Sequence, residues 1–357
     1  MTPGKWREEG RMATKKPRKW LVALVTALAV LAIVFASILI YAHSKLNLIQ
    51  YDDGTIEQDV TISAGEEDEL DLDLSGLESA EPPDVPDGEI YSSSDVLNIL
   101  LLGTDERSEA FSDSARSDSM LLLSINRERK TAKLVSLERG MGVPILEGRY
   151  AGQYDWLTHC FRYGGASLVM REVRECFKVD VEHFIRVNFY SVIGIVDLLG
   201  GIDISLTQTE ADYINSGYNP HEVGRAEELQ AVHAGQNHLN GVTALAYARI
   251  RKIDSDWQRV KRQQTVIQAC ADQLRGANIA ALNRLLNQVL PMVQTNFTQW
   301  EIAQLMMSVP DFLGVQFERM TVPVSGTYGS MIGMGGRSMF APDFAQNAEI
   351  LRRFLYE

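Results

Sequence analysis

Residues 20–41 form a run of 22 residues without a single charge, and no other stretch restricts the architecture of this chain as firmly. At about 1.5 Å of rise per residue, a helix of that length crosses a hydrocarbon core of roughly 30 Å. Trp20 and Tyr41 bracket the run where interfacial aromatics belong. A cleaved signal peptide carries an apolar core of only about 7–15 residues, so the run reads as an uncleaved transmembrane anchor. Lys15, Lys16, Arg18 and Lys19 stand just before it. By the positive-inside rule they keep residues 1–19 as a basic cytoplasmic tail. The expected protein is thus single-pass in the cell membrane, with everything after Tyr41 extracytoplasmic.

The net charge of −13 is spread unevenly. Residues 50–89 hold fifteen acidic side chains and no Lys or Arg, whereas residues 1–45 hold eight Lys/Arg against two Glu. What remains is close to neutral, which supplies neither a nucleic-acid footprint nor a strongly acidic domain. Residues 42–94 combine the acidic run Glu66-Glu-Asp-Glu69 with Pro82, Pro83 and Pro86. Such a composition predicts an acidic, disordered stalk, kept extended by like-charge repulsion. Cys160, Cys176 and Cys270 lack metal spacing, and the six histidines form no HExxH pattern, so a zinc site is not expected. Buried thiols are expected, since no disulfide can be read from the spacing.

From residue 95 to 357 the pattern changes. Val96–Leu102, Met120–Ile125 and Thr131–Leu137 read as strands. Helical patterns follow at Ala166–Phe177 and Phe189–Leu199, then a short strand at Ile202–Leu206. Helices are expected from Asp256, near Ile279–Leu290 and at Trp300–Val309. Val315–Val324 reads as a strand, and Asp343 as the cap of a final helix to Phe354. Gly326–Gly336 lacks the lysine of a phosphate loop and reads as a turn-rich surface connection. Mixed elements of this kind predict an α/β domain, layered α-β-α, with a central mixed sheet flanked by helices.

Within that domain, arginines cluster. Arg249, Arg251, Arg259 and Arg262 fall within fourteen residues, and Val260, Val266 and Ile267 give a helical apolar stripe. Arg259, Arg262 and Gln263 then share a helix face at i, i+3 and i+4. Guanidinium forks match phosphate oxygens, so the cluster suggests a phosphate or pyrophosphate site; a solvated basic face with internal Asp–Arg pairs is the plainer alternative. A second cluster comprises Gly103-Thr-Asp-Glu-Arg107, after the first strand, and Arg116-Ser-Asp118, before the second. Asp105 and Asp118 at neighbouring strand ends are candidates to share Mg²⁺, which favours one or two carboxylates plus phosphate oxygens. The alternative is that they are turn formers and local ion pairs.

The ordered blocks carry a resemblance. Gly103–Arg107, Arg116–Asp118, Ser136-Leu-Glu-Arg139, Leu157-Thr-His-Cys-Phe-Arg-Tyr-Gly-Gly165, Asp197-Leu-Leu-Gly-Gly-Ile-Asp203, Leu239–Arg251 and Asp256–Gln263 together resemble the LytR-CpsA-Psr family. The match runs from about Val96 to Gln268, and the N-terminal anchor fits it. The resemblance implies a membrane-anchored transferase of a Gram-positive-type envelope. Such an enzyme would take a glycopolymer (teichoic acid, capsule or another wall polysaccharide) from a polyprenyl-pyrophosphate carrier and join it to peptidoglycan by a phosphodiester bond. It further implies that Asp105 and Asp118 hold Mg²⁺, and that Arg116, Arg139, Arg249, Arg251, Arg259 and Arg262 surround the phosphates. Gln263 would donate a hydrogen bond, Asp256 would orient the arginines, and Arg107 matches the same block. Phe189, Val192, Ile195 and Val196 are candidates to line a prenyl groove, or else to pack in the core.

Two positions depart from the related pattern. The block usually written Ser-Ile-Pro-Arg-Asp is here Ser136-Leu-Glu-Arg139-Gly140, so the following carboxylate is missing. Trp156 replaces a usual basic residue before Leu157, and is a candidate to stack on a sugar ring. Two other classes stay open: a prenyl-pyrophosphate hydrolase with water as acceptor, and a non-catalytic binder of the carrier lipid or glycan.

Overall fold

Apolar residues run unbroken through the central strands, at Ile99–Leu102 and Met120–Leu123, so both faces of the sheet must be covered. The computed structural model describes residues 43–52, 70, 72–106, 111, 115–217, 225–275, 287–312 and 314–357. The chain divides into two units, Met1–Ser44 and Lys45–Glu357, and the elements named below belong to the second. Residues 20–41 lie outside the described residues. Among those described, no helix is long and apolar enough to cross a membrane.

The strands before the first long helix are β1 (Gln50–Tyr51), β2 (Val96–Thr104), β3 (Ser117–Asn126), β4 (Thr131–Leu137), β5 (Gly142–Pro144) and β6 (Tyr154–Trp156). Then come α1 (Leu157–Phe177), β7 (His183–Asn188), α2 (Phe189–Leu198), β8 (Ile202–Leu206), α3 (Gln208–Asn215), β9 (Gly235–Leu239), α4 (Gly241–Ala248) and α5 (Asp256–Leu274). The chain closes with β10 (Gln294–Thr295), α6 (Gln299–Phe312), β11 (Glu318–Val322), β12 (Tyr328–Ile332), β13 (Ser338–Pro342) and α7 (Phe344–Tyr356). Seven strands form one mixed sheet in the order β1-β10-β7-β2-β3-β4-β11.

Leu100, Leu102, Leu122 and Val135 turn to one face, where α1 and α7 cover them with Phe161, Val173, Phe344 and Leu351. Ile99, Leu101, Leu123 and Ile185 turn to the other face, toward Phe297 and Ile302. Each fully buried Leu or Phe contributes about 1.5–3 kcal/mol relative to exposure. A one-residue slip would exchange the two sets between cores packed by different partners, so packing on both faces fixes the register. A third core joins the antiparallel β8–β9 pair to α3, α4 and α5 through Ile204, Leu239, Ile214, Tyr247 and Val266. These layers agree with the expected α/β architecture.

Several expectations need correction. The sheet includes β7, parallel to β2, which the sequence concealed because its centre is a charge, Arg186. That side chain is 2% exposed and is neutralised by Glu106. α1 begins nine residues earlier than the apolar pattern suggested; non-helical Gly164 and Gly165, the latter at φ 63°, join two helical pieces. The Gly-rich connection contains β12, which pairs antiparallel with β13. The helix expected near Ile279–Leu290 falls mostly outside the described residues. The expected stalk is not wholly detached either. Leu46 and Ile49 are buried in the second core, β1 pairs with β10, and Leu72 packs beside Trp156 and Met339. Apolar residues spaced among the acids can be buried while the carboxylates stay solvated, which mean composition conceals.

Candidate functional site

The ends of β2 and β3 bring the first two motif blocks together. Beyond the last paired rung, Asp105 N donates to Arg116 O at 3.2 Å. The Asp105 carboxylate accepts from Arg116 N at 2.9 Å, Nε at 3.1 Å and Nη2 at 2.9 Å. At the start of β3, Asp118 Oδ1 accepts from Arg139 Nη1 and Oδ2 from Arg251 Nη2, both at 3.1 Å. Arg139 follows β4, and its loop is held by α1: Leu157 N donates to Met141 O and Thr158 N to Arg139 O. The Leu157 block therefore positions the arginine loop.

A continuous ion-pair chain results. Asp256, in the first turn of α5, accepts from Arg139 Nε at 3.3 Å and from Arg259 Nη2 at 2.9 Å. Arg251, Asp118, Arg139, Asp256 and Arg259 are thus linked in sequence. Burial alone would raise the pKa of Asp118, but Arg139, Arg251 and Arg259 overcome it and hold the carboxyl far below its usual range. Burial, with Arg139 alongside, pushes Arg259 down to about 9, so it remains cationic at neutral pH. Arg259 is 2% exposed, and its Nε and Nη1 have no hydrogen-bond partner among the described residues. A buried cation with two unpaired donors is costly in isolation; an anion at that position would satisfy both.

A cavity of about 280 Å³ meets this cluster. Asp118, Arg249, Arg251, Arg259 and Gln263 line it together with Leu101, Leu121, Ile185 and Val187. The strand register separates the two kinds of lining. Leu101 lies opposite Leu121 and beside Ile185, three residues short of Thr104, itself beside Ser117 and Asn188. At about 3.3 Å per residue, the apolar rung lies roughly 10 Å from the charged end. On α5 the order repeats: Arg259 and Gln263 are followed on the same face by Val266 and Ile267, all lining the cavity. The site is a charged pocket continued by an apolar tube.

The structure gathers Asp118, Arg139, Arg249, Arg251, Arg259, Gln263 and Asp256, with Asp105 and Arg116 adjoining. Arg249 lies 4.2 Å over the Phe189 ring, and Gln263 accepts from Ser119 Oγ at 3.0 Å. Arg107 lies outside the described residues. Arg262 is a correction: it bonds to Glu210 at 2.7 Å, Ile250 O at 3.1 Å and Asp254 at 3.1 Å. Its fork is spent inside the fold, and Arg262 does not line the cavity. Phe189 and Val192 do line it, whereas Val196 belongs to the third core. Leu101, Leu121 and Val187 had no signal beyond strand alternation, and Glu138 was hidden inside a departing motif.

Both departures have a physical reading. A Cβ at Gly140 would lie 2.5 Å from Leu72 Cδ2, so Leu72 fills the space in which a side chain would begin. Trp156 is 3% exposed and donates from Nε1 to Ser338 O at 2.9 Å; it is committed to the interior and does not offer a face to a sugar. The Asp197 block and the start of the Leu239–Arg251 block are structural. Asp197 Oδ1 accepts from Gly241 N at 2.7 Å, where a Cβ would meet Ile193 O at 2.2 Å. As to a metal, no group of three His, Cys, Asp or Glu side chains is placed to hold one among the described residues. Asp105 and Asp118 offer hard anionic oxygens, which suit a cation whose remaining ligands are phosphate and water.

Fold and site together define an α/β protein whose cavity joins an arginine-lined end to an apolar one. The chain belongs to the LytR_cpsA_psr family, whose profile matches residues 60–353. It is 29% identical over 269 residues to the polyisoprenyl-teichoic acid–peptidoglycan teichoic acid transferase TagT of Bacillus subtilis (strain 168), covering 75% of this chain and 74% of that protein. It is 32% identical over 216 residues to the transferase TagU of Bacillus licheniformis, covering 58% of this chain and 63% of that protein. A solved structure of TagT bound to LI-WTA superimposes with a TM-score of 0.56 at 25% identity, covering 78% of this chain and 96% of that one.

Proposed function

We infer that this protein transfers a glycopolymer from a polyprenyl-pyrophosphate carrier to peptidoglycan, forming a phosphodiester bond. One observation carries the reading: Arg259, buried with two unpaired donors, stands where the cavity passes from charged to apolar lining. A pyrophosphate would occupy the charged end and the prenyl chain the apolar tube. The relatives named as teichoic acid transferases support wall polymer as the cargo. Residues 20–41 would anchor the protein in the membrane, with the domain extracytoplasmic at the carrier's own surface.

In this mechanism Arg249, Arg251 and Arg259, which line the cavity, bind the phosphate oxygens, Arg139 supports them through Asp118 and Asp256, and Gln263 directs its amide to them. Phosphoryl transfer depends mainly on positioning and on neutralising charge on those oxygens. The acceptor hydroxyl attacks the sugar-side phosphorus; the new P–O bond forms as the bond to the bridging oxygen breaks, and polyprenyl phosphate leaves. Asp118 is a poor base while two guanidiniums hold it. As Arg251 turns to the phosphates, Asp118 becomes able to take the acceptor's proton. Mg²⁺, held by Asp105 and Asp118, would add further neutralisation.

The test uses the full chain in detergent with a synthetic lipid-pyrophosphate saccharide, peptidoglycan oligomers and Mg²⁺, with products read by mass spectrometry. A phosphodiester-linked conjugate that is lost in Arg259→Ala supports the transferase. Free saccharide phosphate without conjugate would replace it with a hydrolase, and binding without product with a carrier-binding protein. Omitting Mg²⁺ tests the metal separately: undiminished turnover in chelator would remove it from the scheme.

A further inference from the structure

We propose that Glu138 is a positioning acid for the arginine cluster: it carries a proton at neutral pH, offers it to Asp256, and so fixes the charge with which the cluster meets a pyrophosphate. This rests on the pyrophosphate reading above. Glu138 follows β4, where its backbone N–H donates to Val322 O at 2.9 Å. Its side chain is 0% exposed. Oε1 has one long contact, from Gly140 N at 3.5 Å, and Oε2 has no partner among the described residues. An ionised carboxylate has about four acceptor sites to fill, and here one marginal hydrogen bond is available. Burying it charged is therefore unfavourable, whereas the neutral acid has one O–H to donate.

The neighbours determine where that proton goes. Asp256 and Arg259 face Glu138 from α5, Arg139 adjoins it on its own loop, and Tyr328 faces it from β12. Asp256 is the acceptor in this set, and it is already the shared partner of Arg139 and Arg259. Burial and the Asp256 charge push Glu138 up to about 8, against the opposing pull of Arg259 and Arg139. The consequence is a matter of charge. Arg139, Arg251 and Arg259 meet two ionised carboxylates, Asp118 and Asp256, which leaves the linked cluster one positive charge. Ionising Glu138 would cancel it. An arriving pyrophosphate favours the proton on Glu138, and the proton favours the pyrophosphate. The lost carboxylate after Arg139 therefore has a counterpart on the other side of that arginine, placed beneath the site and neutral.

The test is the affinity of the full chain in detergent for farnesyl pyrophosphate, by calorimetry from pH 7 to pH 9. The probe's own last ionisation, near about 6, lies below this window. Linkage of one proton weakens binding by up to about tenfold per pH unit above the Glu138 midpoint. Glu138→Gln keeps a donor toward Asp256 and cannot ionise, so it should bind within about threefold of the parent at pH 7 and lose the slope. A slope that persists in Glu138→Gln belongs to another group, such as Arg259, and overturns the proposal; so does a flat parent profile. If Glu138→Gln does not fold, Glu172→Gln decides. Glu172 is a second buried acid pushed up to about 8, mainly by burial, and it lies outside the site. A slope that vanishes with Glu172→Gln overturns the assignment; one that remains with a midpoint of about 8 supports it, and a midpoint of about 9 assigns it to Arg259 and overturns it. Absence of binding at every pH would instead bring down the pyrophosphate reading, and this inference with it.

Discussion

Arg259 and Arg262 stand one turn apart on α5, and both are buried, yet they live in opposite electrostatic conditions. Arg262 is saturated by Glu210, Asp254 and the Ile250 carbonyl. Arg186, on the central sheet, is likewise filled by Glu106, Thr104 and Gln294 and lies 4.6 Å over the Phe161 ring. Among the described residues Arg259 has one hydrogen-bond partner, Asp256, and two idle donors. A fold that closes the accounts of two buried arginines and leaves a third open has kept capacity for something that arrives from outside. Hydrogen-bond saturation, more than charge or burial, separates Arg262 and Arg186, which hold the fold, from Arg259, which the proposed function gives to a ligand.

That contrast can be broken or sharpened by substitution. The largest effect is expected from Arg262→Ala, which strands Glu210 and Asp254. Loss of one partner from a buried pair costs about 3–5 kcal/mol, measurable by denaturant melts, while the folded fraction should bind farnesyl pyrophosphate as before. Lost binding with an intact fold would place Arg262 back in the site. Arg259→Ala should do the reverse, weakening binding by about 1.5–3 kcal/mol with the melting temperature unchanged or raised. A large drop in melting temperature would mean that its idle donors are not idle in solution.

Asp118→Asn should reduce stability by a smaller amount, about 1–2 kcal/mol at neutral pH, and alter its pH dependence. Asp118 is depressed in the folded state, so its contribution is whole above the unfolded value of about 4 and is lost as pH falls below it. The Asn variant should lack that part of the acid decline in a pH series of melts. Smallest is Gln263→Ala, which removes the hydrogen bond to Ser119. It should weaken pyrophosphate binding by about 0.5–1.5 kcal/mol; a larger loss would give Gln263 more than the supporting role assigned here.

The sheet's middle was readable from the chain because β2 and β3 are short unbroken apolar runs and β4 alternates, and Asp343 caps α7 as expected, accepting from Gln346 N at 2.9 Å. β7 was not, since a charged residue in a buried strand looks like a breaker until its partner 80 residues away is known. The site was legible as a list of arginines and aspartates, because guanidinium chemistry at strand ends and on a helix face is a local signal. Which arginine is satisfied is a long-range fact: Arg262 is consumed by Glu210, 52 residues earlier. Trp156 misled because a residue replacing a base looks available, whereas its neighbours Met331 and Met339 come from the far end of the chain.

Leu72 and Gly140 touch across 68 positions of sequence, and their contact makes each the other's historical constraint. With Leu72 seated 2.5 Å from where a side chain would begin, an aspartate cannot enter position 140 by one substitution without displacing its neighbour. A smaller residue at 72 would make room for it. Descendants of this chain are expected to vary at the two sites together, and a survey of near relatives should find bulk at 72 and an acid at 140 as alternatives that rarely coexist.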